Sequence, residues 1–205
     1  LQWKQRSERK PLIIQGARQI GKTWIMRKFG EEHFDYVAYF NFDASEELCR
    51  EFENTKSPER LLGILRLYTE YPIEAGRTLI IFDEIQQYPK ARQSIKKLVS
   101  DGRYDYIETG SLISIRENVK GITIPSEERS ICMYPMDFEE FCFALGERKM
   151  TEYIRKCFAE KKPLEENLHH KAMMLFKQYI LVGGMPKAVA KYLDNNRSFS
   201  AADIE

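Results

Sequence analysis

Gly16-Ala17-Arg18-Gln19-Ile20-Gly21-Lys22-Thr23 is a complete G-x-x-x-x-G-K-T run, and its flanks decide how it reads. Pro11-Leu12-Ile13-Ile14-Gln15 before it is an apolar run short enough for a buried strand. Trp24-Ile25-Met26-Arg27-Lys28-Phe29 after it mixes apolar and basic residues as a helix does. Strand, loop and helix in that order predict a phosphate-binding loop, whose backbone N–H groups converge at a helix N-terminus. Gly16 and Gly21 let the chain approach the phosphates. Lys22 is expected to reach the β- and γ-phosphates as a point charge, and the Thr23 hydroxyl to ligate Mg²⁺. Ala17, Arg18, Gln19, Ile20 and Trp24 complete the expected cradle for a nucleoside triphosphate.

A second half-site follows at Thr78-Leu79-Ile80-Ile81-Phe82-Asp83-Glu84. Its apolar run predicts a central parallel strand buried on both faces. The carboxylates then fall at the carboxyl end of the sheet, where α/β ligand sites form. Asp83 is expected to hold Mg²⁺ through its water shell, and Glu84 to orient and polarise the attacking water. The other reading of the pair is a cap for the helix Pro89 to Ser100. An Asp–Glu pair favours hydrolysis over transfer to a small-molecule hydroxyl. A third strand, Tyr104 to Glu108, runs into Thr109-Gly110-Ser111, whose hydroxyls are candidate sensors of the γ-phosphate. Ser111 is equally a good N-cap for a helix Leu112 to Asn118.

The 205 residues suffice for one α/β domain and a smaller appendage. With 32 basic and 31 acidic residues there is no broad field to indicate nucleic acid as a partner. Arg92, Lys96 and Lys97 read as a solvated helix face. Cys49, Cys132, Cys142 and Cys157 stand in apolar contexts without a C-x-x-C pair, and read as reduced core thiols of a cytoplasmic protein. His169 and His170 are adjacent and point about 100° apart on a helix, so they are not a chelating pair. No apolar stretch approaches the roughly 20 residues of a membrane span, and no signal peptide is recognisable. The chain starts at Leu1 and stops just after a new helical start at Ser200-Ala201-Ala202-Asp203, which suggests a fragment of a longer protein.

From Leu12 to about Met133, strand-like and helix-like segments alternate, which predicts a parallel sheet covered on both faces. Tyr36 to Asp43 and Ser130 to Met133 supply the remaining strands. Helices are expected over Ser45 to Glu53 and after Ser57-Pro58-Glu59. The alternation ends at Asp137-Phe138-Glu139-Glu140, a capping-box-like start. Beyond it the chain reads as helix: Phe138 to Leu145, Thr151 to Glu160, Leu164 to Val182 and Pro186 to Leu193. We therefore expect a core over 1–136 and a helical lid over 137–205. Phe141, Phe143, Met173, Met174 and Phe176 are expected in the lid's core. Gly183-Gly184-Met185-Pro186 ends one helix and opens the next, and would also present a flat apolar corner to an adenine ring.

The loop, Phe82-Asp83-Glu84-Ile85-Gln86 and Thr109-Gly110-Ser111 together resemble the AAA-type ATPases of bacteria and archaea. The chain is most similar to the archaeal-ATPase-like branch, related to the signal-transduction ATPases and usually fused to a C-terminal domain of unknown function. Tyr134-Pro135-Met136-Asp137-Phe138-Glu139-Glu140-Phe141 resembles that branch's "PLSF-x-EF" signature, and Gly183-Gly184-Met185-Pro186 its "GGFP" turn. The resemblance implies an α/β fold, a five-stranded parallel P-loop core of the additional-strand, catalytic-glutamate type with a small all-helical lid. It implies ATP and Mg²⁺ as ligands, contact of the base with Pro186 beside Gly184, and a protein partner reached through the absent C-terminal domain. Members often carry Gly-Arg before the last strand where this chain has Glu128-Arg129, leaving Arg129 as either a γ-phosphate partner or a surface arginine. The expected function is ATP hydrolysis driving a conformational switch. A nucleotide-binding interaction module with little turnover and a small-molecule kinase are the alternatives. In the lid, Arg155 and Arg197 are the arginines considered to serve the latter.

Overall fold

The computed structural model describes residues 3–4, 10–55, 57–85, 89–110 and 129–198. Ser111, the helix expected over Leu112–Asn118, Gln86, Glu128, the helical start at Ser200–Asp203 and the side chain of Arg92 lie outside the described residues. The chain divides into two compact units, Leu1–Met133 and Tyr134–Glu205.

The first unit is an α/β layer structure. Its strands are β1 (Leu12–Gly16), β2 (Tyr36–Asn41), β3 (Thr78–Asp83), β4 (Asp105–Gly110) and β5 (Arg129–Met133). Its helices are α1 (Lys22–His33), α2 (Glu46–Asn54), α3 (Pro58–Leu67) and α4 (Pro89–Ser100). The strands form one sheet in the order β2-β3-β4-β1-β5, every neighbouring pair parallel. β4 therefore lies between β1, which leads into the glycine loop, and β3, which ends in the acidic pair. This is the additional-strand arrangement expected above.

Period-two alternation sorts the sheet into two faces. Ile80 and Phe82 enter a cluster with Phe42, Phe52, Leu61 and Leu65 on the side of α2, α3 and α4. Leu79 and Ile81 enter another with Met26 and Ile107, against α1. Asp83 has the parity of Leu79 and Ile81, so it emerges on the α1 side, where the loop ends. Phe82 is ringed by Phe40, Phe42, Phe52 and Tyr106 at centroid distances of 6.0, 5.7, 6.0 and 6.0 Å. That packing fixes the strand one residue before the carboxylates.

β2 stops at Asn41, two residues before the expected end. The Asn41 side chain accepts from the Asp43 N–H at 3.0 Å and bends the chain into a 3-10 turn over Phe42–Ala44. Ser45 then caps α2, accepting from the Leu48 N–H at 3.3 Å.

The second unit consists of α5 (Phe138–Ala144), α6 (Arg148–Glu160), α7 (Glu166–Val182) and α8 (Pro186–Asp194). Asp137 opens α5 with a full capping box: it accepts from the Glu140 N–H at 2.8 Å and donates its own N–H to Glu140 at 3.0 Å. α6 begins three residues earlier than expected, with the Thr151 hydroxyl bonded back to the Arg148 carbonyl at 2.8 Å. Phe141, Leu145, Leu175, Val189 and Tyr192 form its core.

Two expectations fail here. Met173, Met174 and Phe176 are 40, 51 and 41% exposed, and Phe143 is half-buried under Arg148 instead of in the core. The reason is geometric: α7 is apolar around most of its circumference, but a helix turns only one stripe inward. That stripe is Leu168, Ala172, Leu175, Tyr179 and Val182, at spacings of four and three. Cys132 is likewise exposed, because β5 is an edge strand, whereas Cys49, Cys142 and Cys157 are buried. Lys96 and Lys97 are exposed as expected. Among the described residues no helix is long and apolar enough to cross a membrane.

Candidate functional site

The loop from β1 to α1 is shaped by sterics. A Cβ on Gly16 would lie 2.3 Å from the Met133 carbonyl oxygen, so β5 leaves room only for glycine. Gly21, the N-cap of α1, has φ 92, which L side chains rarely adopt. Gln19 reaches φ 63 without that freedom, a local strain of the sort that ligand clamps carry. The first turn of α1 presents unpaired N–H groups and the positive end of the helix dipole towards the loop.

Lys22 is 6% exposed and folds back over its own loop. Its ammonium donates to the carbonyls of Gly16 at 3.2 Å and Ala17 at 2.7 Å. Burial lowers its pKa, and the charges of Glu84 and Asp83 oppose the shift. A cation so placed is matched to an incoming anion.

The loop and the acidic strand meet on one carboxylate. Asp83 is 4% exposed. Its Oδ2 accepts from the Thr23 hydroxyl and from the Tyr39 hydroxyl, each at 2.7 Å. Its Oδ1 accepts from the buried Thr109 hydroxyl. Thr109 in turn accepts the Glu84 N–H at 3.1 Å. Glu84 itself sits at φ 58, left-handed backbone for a residue with a side chain. A pocket of 480 Å³ opens over these groups, walled by Arg18, Lys22, Thr23, Trp24, Asp43 and Glu84 among others.

Hard oxygen donors suit Mg²⁺, which is commonly held by one or two carboxylates, waters and substrate phosphates. Asp83 beside the Thr23 hydroxyl fits that pattern. Among the described residues no group of three or more acidic, histidine or cysteine side chains offers a protein-only metal cage.

Residues 16–24, Asp83, Glu84 and Thr109 thus come together. Arg129 does not join them. It starts β5 opposite Leu12, at the amino end of the sheet, while Gly16 lies opposite Met133. Four strand steps of about 3.3 Å put it roughly 13 Å from the loop end. Gly184 and Pro186 lie in the second unit. A Cβ on Gly184 would fall 2.0 Å from the Met136 carbonyl oxygen, and Pro186 opens α8. Sequence reasoning missed Asp43 and Tyr39. The available signal was their position on or just after β2 at the carboxyl end of the sheet, and for Tyr39 the parity of a strand paired in register with β3.

A family model described as "AAA domain" matches residues 8–142. The chain belongs to the AAA domain family. Membership supports nucleotide binding of the ATPase type. Among solved structures, this AAA domain is similar to the closed state of Hsp104 with ATPγS and FITC-casein. The two share 19% identity at a TM-score of 0.51, over 94% of this chain and 34% of that one. It is also similar to Drosophila ORC bound to DNA, at 14% identity and a TM-score of 0.50, over 91% of this chain and 54% of the other. At these identities the likeness is one of fold. The AAA domain spans about a third of the Hsp104 chain and about half of the ORC chain. No curated protein matches it.

Proposed function

We propose that this AAA domain binds ATP with Mg²⁺, hydrolyses it, and uses the nucleotide state as a conformational switch. The observation that carries the reading is the 2.7 Å contact between the Thr23 hydroxyl and Asp83, which joins the glycine loop to the acidic strand. On this reading Lys22 exchanges the Gly16 and Ala17 carbonyls for the β- and γ-phosphates, keeping its charge and its place. With Asp83, the Thr23 hydroxyl would hold the metal, turning to it from the carboxylate. Glu84, set at the strand end by its bond to Thr109, orients the attacking water and takes up part of its proton's charge. Bound Mg²⁺ would supply neutralisation of the phosphate oxygens.

The motif set of Tyr134–Phe141 and Gly183–Pro186 supports placing the chain in the archaeal-ATPase-like branch, with a protein partner reached through a further C-terminal domain. It also supports Pro186 as the base contact. Three buried thiols outside any disulfide suit a cytoplasmic setting. The kinase alternative finds little support, since Arg148 lies over the Phe143 ring, Arg155 pairs with Glu139 and Arg197 donates to the Leu145 carbonyl at 2.9 Å.

The test is calorimetric titration with ATP and Mg²⁺ combined with single-turnover kinetics. Lys22→Ala is expected to abolish binding while leaving the circular dichroism spectrum unchanged. Glu84→Gln is expected to bind as the parent does and turn over at least about 100-fold more slowly. Unchanged affinity in the first variant sinks the phosphate-loop assignment. Equal rates for the parent and the second variant leave only the binding module.

A further inference from the structure

We infer that Tyr39 is a positioning residue for the metal-binding carboxylate, its hydroxyl holding Oδ2 of Asp83 when Thr23 lets go. The inference rests on the proposed ATP–Mg²⁺ reading and adds a residue that reading does not use. A carboxylate 4% exposed must find its donors within the protein. Oδ1 is supplied by Thr109, whose hydroxyl is fixed at the end of β4. Oδ2 has two donors, Thr23 and Tyr39. Thr23 belongs to the loop and has another task once nucleotide and metal arrive. Tyr39 then remains as the protein donor on that oxygen. With one donor on each oxygen, the carboxylate plane cannot turn about its own bond.

Tyr39 is built to hold still. Its strand pairs with β3 in register, Tyr39 opposite Ile81 and Asn41 opposite Asp83. Its ring lies under the Arg27 guanidinium, 4.7 Å from the centroid, and Arg27 rides on α1, the helix that follows the loop. A phenol keeps its proton at neutral pH, so the group remains a donor. An added donor also draws charge from the carboxylate, which by itself would weaken the hold on a cation. Orientation outweighs this, because Mg²⁺ tolerates little departure from octahedral geometry.

Tyr39→Phe removes the hydroxyl and keeps the ring under Arg27. ATP affinity would be measured by calorimetry in EDTA and across a Mg²⁺ series, for parent and variant. The EDTA affinity is expected to stay within about twofold. The Mg²⁺ concentration at half-effect is expected to rise by about tenfold or more, the scale of one lost hydrogen bond to a charged group. An unchanged or lowered Mg²⁺ requirement overturns the inference. So does equal weakening in EDTA and in Mg²⁺, which would mean the hydroxyl acts through the fold. A parent without Mg²⁺-dependent ATP binding overturns the nucleotide reading and this inference with it. A parent that binds, with a variant indistinguishable from it, overturns this inference alone.

Discussion

Tyr39 and Tyr106 carry phenols whose pKa values are held well above the ordinary value, mainly by burial. For Tyr39 the bond to Asp83 adds to the shift, and for Tyr106 the nearby charge of Asp101. In the unfolded chain both ionise near about pH 10. The folded state keeps protons that the unfolded state releases, so their contribution is complete below that pH and is lost as pH rises past it. The melting temperature is expected to fall steeply above about pH 10, and Tyr106→Phe to make the fall shallower. Dichroism melts across that range check it, and identical slopes would refute it. Residues 16–24, Asp83 and Glu84 were legible from sequence because their chemistry is tied to fixed local spacing. Tyr39 was not, because its contact depends on strand register and on one rotamer. Thr109 was legible as a hydroxyl at a strand end. Its two bonds, to Asp83 and to the Glu84 amide, appear only once β4 lies beside β3.

At the scale of elements, hydrophobic periodicity located each described strand and helix, and the errors lie where side chains compete with the backbone. Asn41 ends β2 early by capping Asp43, and Thr151 sits inside α6 by bonding back to Arg148. The inward stripe of α7 was hidden because apolar residues such as Met173, Met174, Phe176, Ile180 and Leu181 also stand outside it. The turn between α7 and α8 shows two glycines with different duties. Gly183 has φ 76 and ψ −174, backbone that glycine alone adopts readily, and open space where a side chain would go, so Gly183→Ala costs backbone strain alone, about 1–3 kcal/mol. Gly184 faces the Met136 backbone, whose N–H donates to the Gly184 carbonyl at 2.7 Å. A methyl there meets backbone that cannot swing away, and Gly184→Ala is expected to cost about 1–3 kcal/mol. Denaturant unfolding followed by helical dichroism measures both. An unchanged stability at Gly184 would contradict the contact.

For the whole molecule, each unit has its own apolar core, so two unfolding transitions are expected in calorimetry. ATP at about 100 times its dissociation constant should stabilise the first unit by about 2.7 kcal/mol. The second transition should rise as well if Pro186 meets the base, and the Pro186→Ala variant should then lose that rise. A single transition shifted as one would show that the units unfold together. The chain also has a native means of telling the units apart. It has two tryptophans, Trp3 at 6% exposure and Trp24 at 69%, and both belong to the first unit. Intrinsic emission excited at the red edge is therefore blind to the helical unit, while far-ultraviolet dichroism sees both. Within that emission, the solvent-quenchable fraction comes from Trp24 in the wall of the pocket over the glycine loop and the protected fraction from Trp3. Iodide quenching that falls on adding nucleotide would report pocket occupancy without a label, against an internal reference that changes only when the first unit unfolds.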